Sequence, residues 1–310
     1  MSEEKTKYDI IIIGAGPAGY TAGIYCSRAR HNTLLISGIL PGGQLMNTTD
    51  VENYPGFDQG IMGPDLMLTM RKQTERMGTE IIDDEVISVD LKNNPLKVST
   101  ASSIFEANSV IVCTGANPRK IGLDGEQTFA GKGVSYCATC DGAFFKNQEL
   151  IVVGGGDSAM EEATFLTKFA STVHIVHRRD GFRASKIMQE RALSNEKIKV
   201  HFNCTVEDIQ GDQKFQKVIL KNVKNGEKIT LEAGGLFVAI GHEPNSKIFE
   251  GQVELDENGY VVLKDNTETD VPGVFCAGDV HDHRYRQAVT AAGFGCMAAI
   301  DADKYLAEQK

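Results

Sequence analysis

Isoleucine fills positions 10–13, between Asp9 and Gly14. An uninterrupted apolar run of that length predicts a strand buried on both faces, as in a parallel sheet. The chain then passes at once to "GAGPAGYTAGIYCSRAR", glycines followed by a helical stretch. Positions 150–153 ("LIVV") open a second passage of the same kind, continued by "GGGDSAMEEATFLTKFA", and "TVHIVH" supplies a further strand. Towards the end, "VPGVFCAGDV" predicts a short strand closing on Gly278 and Asp279, and "YRQAVTAAGFGCMAAIDADKYL" a helix of small residues. Positions 10–26 carry no charge but are punctuated by four glycines and a proline. Strand, turn and helix describe them better than a span of about 20 apolar residues, and no transmembrane segment is expected.

The glycines give these turns a chemistry. Gly14, Gly16 and Gly19 complete G-x-G-x-x-G, and Gly154, Gly156 and Ala159 complete G-x-G-x-x-A. Small residues suit a tight turn, a backbone that must approach a pyrophosphate, and close packing of helix on strand. The helix N-terminus then faces the phosphates. The wide separation of the two motifs excludes a solenoid repeat and predicts two domains, each on its own sheet.

About 20 residues after such a turn an acidic residue would hold an adenosine ribose. Ser37 and His177 occupy those places instead. In the second unit the strand runs straight into Arg178 and Arg179, with Arg183 beyond, and guanidinium forks suit a 2′-phosphate, which points to NADP. In the first, Gly42 and Gly43 precede Gln44, whose amide can reach a ring edge. Asp279 can hydrogen-bond ribityl or phosphate oxygens while the following helix presents its N-terminus.

A chain of 310 residues accommodates two cores, and 41% hydrophobic with 24% charged residues is the balance of a soluble globular protein. A net charge of −10 argues against general nucleic-acid binding. Seven cysteines without a charged-then-apolar leader argue against a secreted disulfide framework and favour a reducing cytoplasm. Five of them, Cys26, Cys113, Cys204, Cys276 and Cys296, lie singly in apolar or strand-like runs suited to small buried thiols. The stretch "SYCATCDGAFF" is different, setting Cys137 and Cys140 two residues apart. A zinc knuckle needs a second such pair or two matching histidines, so no metal is expected. A chance pair and a cycling disulfide both remain open on these residues alone.

The order of the pieces, from "IIGAGPAG" through "GGQL", "VENYPGF", "CTGANPR", "YCATCDG", "GGGDSAMEEA", "HRRDGFRAS" and "VAIGHEPN" to "FCAGDVHDHRYRQAVTAAGFGCMAA", closely resembles the low-molecular-weight thioredoxin reductases over essentially the whole chain. These are flavoproteins that pass electrons from NADPH through FAD and a cysteine pair to thioredoxin. The resemblance implies an α/β fold of two Rossmann-like dinucleotide-binding domains. An FAD domain of residues 1–117 and 247–310 would be interrupted by an NADPH domain, 118–246, carrying the cysteine pair. Gly14, Gly16, Gly19, Gly42, Gly43, Gln44, Asn53, Val86, Asp279, Arg286, Gln287 and Ala288 would serve FAD. Gly154, Gly156, Ala159, His177, Arg178, Arg179 and Arg183 would serve NADPH. Asp157 and Ser158 fill variable positions of the second turn, which leaves a carboxylate near the place expected for phosphate.

By the same likeness Cys140 faces the flavin, Cys137 attacks the disulfide of thioredoxin, and the chain is a cytoplasmic homodimer. Asp141 would be the acid that protonates a departing thiolate, with helix capping as its alternative role. A glutaredoxin-like or peroxidase-linked carrier, or a non-enzymatic flavin redox sensor, would be served by the same fold. A ferredoxin–NADP reductase would need neither Cys137 nor Cys140.

Overall fold

A computed structural model describes residues 6–39 and 41–309. The first five residues, Leu40 of the "GILPGGQL" stretch and Lys310 lie outside the described residues. The chain forms two compact units, Met1–Asn117 with Glu243–Lys310, and Pro118–His242 between them.

In the first unit the Lys7–Ile13 strand lies parallel to Thr33–Ile36 on one side and Ile104–Val112 on the other, and Glu80–Ile82 extends the sheet beyond Thr33–Ile36. The long Ile104–Val112 strand serves two partners on its far edge. Its first half pairs antiparallel with Leu96–Thr100, which also pairs with Val86–Asp90, and its second half pairs parallel with Val274–Cys276. The isoleucine run is continuous because both faces are covered. Ile10 and Ile12 enter a core with Tyr20, Ala22 and Cys26 of the helix Pro17–Arg28, whereas Ile11 and Ile13 enter one with Val98, Phe105 and Phe249. The uncharged segment is thus a strand and a helix, and no helix among the described residues is long and apolar enough to cross a membrane.

The C-terminal helix Ala288–Glu308 packs along Pro17–Arg28. Small residues permit the approach: a Cβ added at Gly295 would run into the Ala18 carbonyl. Cys26, Cys113, Cys204 and Cys276 are buried, but Cys296, next to Gly295, is only half-buried.

The second unit repeats the plan with a five-stranded parallel sheet, ordered Val134–Ser135, Gly235–Val238, Glu149–Val153, Thr172–His177 and Ile198–Phe202. Leu150 and Val152 pack against Ala159, Met160 and Ala163 of the helix Asp157–Leu166. Ile151 faces the other way, to a core with Val206, Phe215 and Val218 from the antiparallel strands Cys204–Gly211 and Phe215–Asn222.

The two passages between units, Ala116–Pro118 and His242–Pro244, pair with each other. The second boundary falls at 242/243, earlier than the expected 246/247, because the intervening residues are bonded into the first unit. The Asn245 N–H donates to the Gly115 carbonyl at 2.9 Å, its Nδ2 to the Thr114 carbonyl at 2.9 Å, and Ser246 Oγ to the Gly259 carbonyl. Replacing Gly295 by alanine should destabilise the first unit by about 1–3 kcal/mol, because backbone must move to admit the methyl. Urea unfolding measures this, and an unchanged midpoint would show that the two helices separate without cost.

Candidate active site: two glycine turns and a disulfide

The first turn is built on contacts that only glycine allows. Gly14 has φ of +109°, and a Cβ there would meet the Cys113 carbonyl; a Cβ at Gly19 would meet the Gly14 carbonyl. At Gly16 the same space is open, with nothing within 4 Å. The exposed side of the turn therefore offers bare backbone at the start of the helix Pro17–Arg28, as phosphate recognition requires. The second glycine pair is folded onto it. Gly42 donates its N–H to the Ala15 carbonyl at 2.9 Å, and a Cβ at Gly43 would lie 3.7 Å from Gly16 Cα. Gln44 does not point free: its Nε2 donates to Asn117 Oδ1 at 2.6 Å, and Asn117 Nδ2 donates to Asn245 Oδ1 at 2.9 Å.

Asp279 follows the Val274–Cys276 strand and Gly278, where a Cβ would lie 3.1 Å from that of Ala18. Its Oδ1 is buried without a hydrogen-bond partner among the described residues. Burial, reinforced by the Asp282 charge and opposed by Arg286, pushes its carboxyl up to about 7. Asp282 is itself buried and accepts three backbone N–H groups, those of Arg284 at 3.0 Å, Tyr285 at 2.9 Å and Arg286 at 3.2 Å. That clamp holds Arg286 at φ of +47° and delivers the chain to Gln287, which caps the helix beginning at Ala288 and whose Oε1 accepts from Asn53 Nδ2 at 3.4 Å. Val86 opens the Val86–Asp90 strand with its side chain in the second core. Ser37 donates its hydroxyl to Asp83 Oδ1 at 2.8 Å, but Arg71 also grips that carboxylate through two N–H groups and holds it below the usual range.

The second turn repeats the geometry. A Cβ at Gly154 would meet the Ala239 carbonyl, and Gly156 is open. Gly155 is required for a different reason, since a Cβ there would collide with the His177 ring. His177 is buried, and its Nε2 donates to the Gly181 carbonyl at 3.1 Å. Burial, with a smaller push from the three arginines, holds its imidazole below the ordinary range and so neutral. Arg178, Arg179 and Arg183 are all exposed. The Asp157 carboxylate is turned aside, its Oδ1 accepting the N–H and the hydroxyl of Ser185, each at 2.8 Å.

Cys137 and Cys140 are joined as a disulfide, their Cα atoms 5.3 Å apart. Cys137 caps the short helix Ala138–Asp141, its Sγ accepting the Cys140 N–H at 3.2 Å. Ser135 organises the rest: its buried Oγ accepts the Cys137 N–H at 3.1 Å and donates to Asp141 Oδ2 at 2.6 Å. Asp141 makes no capping bond. Burial, tempered by the Ser135 bond, raises its carboxyl, which suits a group that must hold a proton.

The sequence matches the family described as pyridine nucleotide-disulphide oxidoreductase over residues 8–295. The chain belongs to that family, among the low-molecular-weight thioredoxin reductases. It is 55% identical over 302 residues to a thioredoxin reductase of Streptomyces clavuligerus, covering 96% of this chain and 94% of that protein. It is 53% identical over 310 residues to one of Mycolicibacterium smegmatis, covering both chains completely. The solved thioredoxin reductase of Giardia duodenalis superposes with a TM-score of 0.94 at 45% identity, covering 98% of this chain and 100% of that one.

Sequence reasoning had picked out Asp279 but missed Asp282, Ser135 and Gly155. Each acts on a neighbour rather than on a ligand, and only contact geometry reveals it. The state of Asp279 is directly testable. In protein stripped of bound nucleotide, its neutral form stabilises the fold fully below about pH 4, and that contribution is lost as pH rises to about 7, where the penalised charged form takes over. Between pH 5 and 8 the wild type should lose about 2 to 3 kcal/mol more than Asp279→Asn in urea unfolding. Parallel profiles for the two proteins would rule out the buried, unpartnered carboxyl.

Proposed function

We propose that this chain is an NADPH-dependent thioredoxin-disulfide reductase, with FAD held by the unit of Met1–Asn117 and Glu243–Lys310 and NADPH by Pro118–His242. The observation that carries the reading is the Cys137–Cys140 disulfide linked through Ser135 to Asp141, in the same unit as a glycine turn followed by three exposed arginines. Open space at Gly16 and the unpartnered oxygen of Asp279 fit the phosphates and hydroxyls of FAD. Gly14, Gly19, Gly42, Gly43, Gln44, Asn53, Val86, Arg286, Gln287 and Ala288 complete that proposed site. Gly154, Gly156, Ala159, His177, Arg178, Arg179 and Arg183 form the proposed NADPH site. FAD, when bound, supplies the two-electron link between NADPH and the disulfide.

The chain's own residues account for the exchange that follows. In the reduced pair the Cys140 N–H stabilises a thiolate on Cys137, which attacks one sulfur of oxidised thioredoxin. The thioredoxin disulfide breaks, and its departing thiolate takes a proton held at Asp141. Cys140 then attacks Cys137 Sγ, restoring the Cys137–Cys140 disulfide and releasing the second thioredoxin thiol. Half-exposed Tyr25, Val289, Met297 and Ile300 on the two packed helices would be covered in a homodimer. A reducing cytoplasm suits the buried free thiols.

Anaerobic titration with NADPH followed by a panel of thioredoxins and glutaredoxin-like carriers tests the whole reading. Reduction without transfer to any carrier would favour a sensor. The sulfur roles are separable with a thioredoxin whose resolving cysteine is serine and whose other thiol is activated with thionitrobenzoate. Cys140→Ser should form a stable disulfide-linked complex with it on a non-reducing gel, and Cys137→Ser should not; the opposite pattern would exchange the roles. Replacing Arg178 and Arg179 together with alanine should weaken NADPH use about tenfold or more, roughly 1.4 kcal/mol, while leaving NADH nearly unchanged. Equal losses with both cofactors would remove the arginines from the 2′-phosphate site.

A further inference from the structure

A carboxylate at the first position of a helix competes with any phosphate for the same positive helix end. Asp157 holds that position on the helix Asp157–Leu166, directly after the glycine turn. Its Oδ1 is occupied by the Ser185 N–H and hydroxyl, each at 2.8 Å. Ser185 in turn stands at the N-cap of the helix Lys186–Leu193, yet its side chain makes no capping bond there. A hydroxyl that ordinarily stabilises its own helix is committed to the glycine turn instead.

The segment that ends at Ser185 carries Arg183, and it is fastened to the turn at several points. The Gly155 carbonyl accepts the N–H of Arg183 at 2.7 Å and that of Ala184 at 3.2 Å, and His177 Nε2 donates to the Gly181 carbonyl at 3.1 Å. The rings continue the support, with Phe182 set between His177 and Phe202 at centroid distances of 5.5 and 4.8 Å. The Asp157–Ser185 bonds close this series at its last residue. Arg178 and Arg179 leave the Thr172–His177 strand before the fastened segment begins, so their placement does not depend on it.

We propose that Asp157 and Ser185 form a clasp that positions Arg183 at the second glycine turn and thereby sharpens the preference for a 2′-phosphorylated nicotinamide nucleotide. The proposal rests on the NADPH reading above. Asp157 is a positioning residue in it and touches no ligand. Losing the clasp costs the contribution of one arginine of three, and the acceptor oxygen, not the negative charge, is the part that matters.

The test is equilibrium binding of NADP+ and NAD+ to the FAD-loaded protein by titration calorimetry. Asp157→Ala should weaken NADP+ about three- to tenfold and leave NAD+ within about twofold. Asp157→Asn, whose amide oxygen accepts the same two hydrogens, should bind both as the wild type does, and Ser185→Ala, which keeps the backbone bond, should fall between. Equal weakening of both nucleotides by Asp157→Ala, or no change in either, would overturn the clasp. So would tighter binding of both by the alanine and asparagine variants, which would make Asp157 only a repelling charge. Should Asp157→Ala fail to fold, the other two variants decide: the clasp stands only if Ser185→Ala lowers the NADP+ preference and Asp157→Asn does not. A wild type that binds NADP+ no better than NAD+ would sink the NADPH reading itself, whereas a preference unmoved by the variants would sink the clasp alone.

Discussion

In each unit the layers rest on one approach of backbone to backbone that any side chain would block. Gly14 sits against the Cys113 carbonyl, and Gly154 against the Ala239 carbonyl. Both carbonyls lie just beyond the end of a neighbouring parallel strand, Ile104–Val112 in one unit and Gly235–Val238 in the other. The contact lets the chain reverse from strand to helix in three residues, so that the helix N-terminus ends above the edge of the sheet. The third small residue shows how the two copies differ. A methyl at Gly19 would enter the Gly14 carbonyl, whereas Ala159 keeps its methyl beside Gly154. The first helix comes down closer, and its own backbone at Ala18 is then approached by Gly295 of the last helix.

The disulfide site obeys a similar economy. One buried hydroxyl, Ser135 Oγ, accepts from the backbone of Cys137 and donates to Asp141, tying the main chain of the one and the side chain of the other to the end of one strand. Asp141 is half-buried with no cation beside it among the described residues, which leaves desolvation as the dominant influence on its carboxyl. Asp279 is governed by the same physics in the other unit, with a like charge at Asp282 added. Two carboxyls of ordinary sequence context are thus made extraordinary by their surroundings.

Both strand–turn–helix passages were legible in the sequence because a buried parallel strand leaves an unbroken apolar run and a tight turn leaves glycine. The short Val274–Cys276 strand and the long last helix were legible for the same reason. What stayed hidden depended on partners distant in sequence. The Asp157 carboxylate looked misplaced beside a phosphate until Ser185 was found to hold it. Nothing local marks Gln44 as bonded to Asn117, or Asn245 and Ser246 as part of the first unit and not the second. The antiparallel strands Cys204–Gly211, Phe215–Asn222 and Lys228–Glu232 were missed because their alternation is diluted by charged residues on the outward face.

The placement of Pro118–His242 inside the other unit also bears on how the chain is made. Synthesis proceeds from the N-terminus, so the inserted unit is complete as one contiguous stretch while its host is still half-written. The Ile104–Val112 strand must wait for Val274–Cys276 to cover the second half of its edge, and Pro17–Arg28 must wait for the final helix. Until those two elements emerge, the nascent host unit presents an open strand edge and an apolar helix face, the features that invite wrong pairing and chaperone capture. The arrival of Val274–Cys276, rather than any earlier folding step, becomes the event that closes the first sheet.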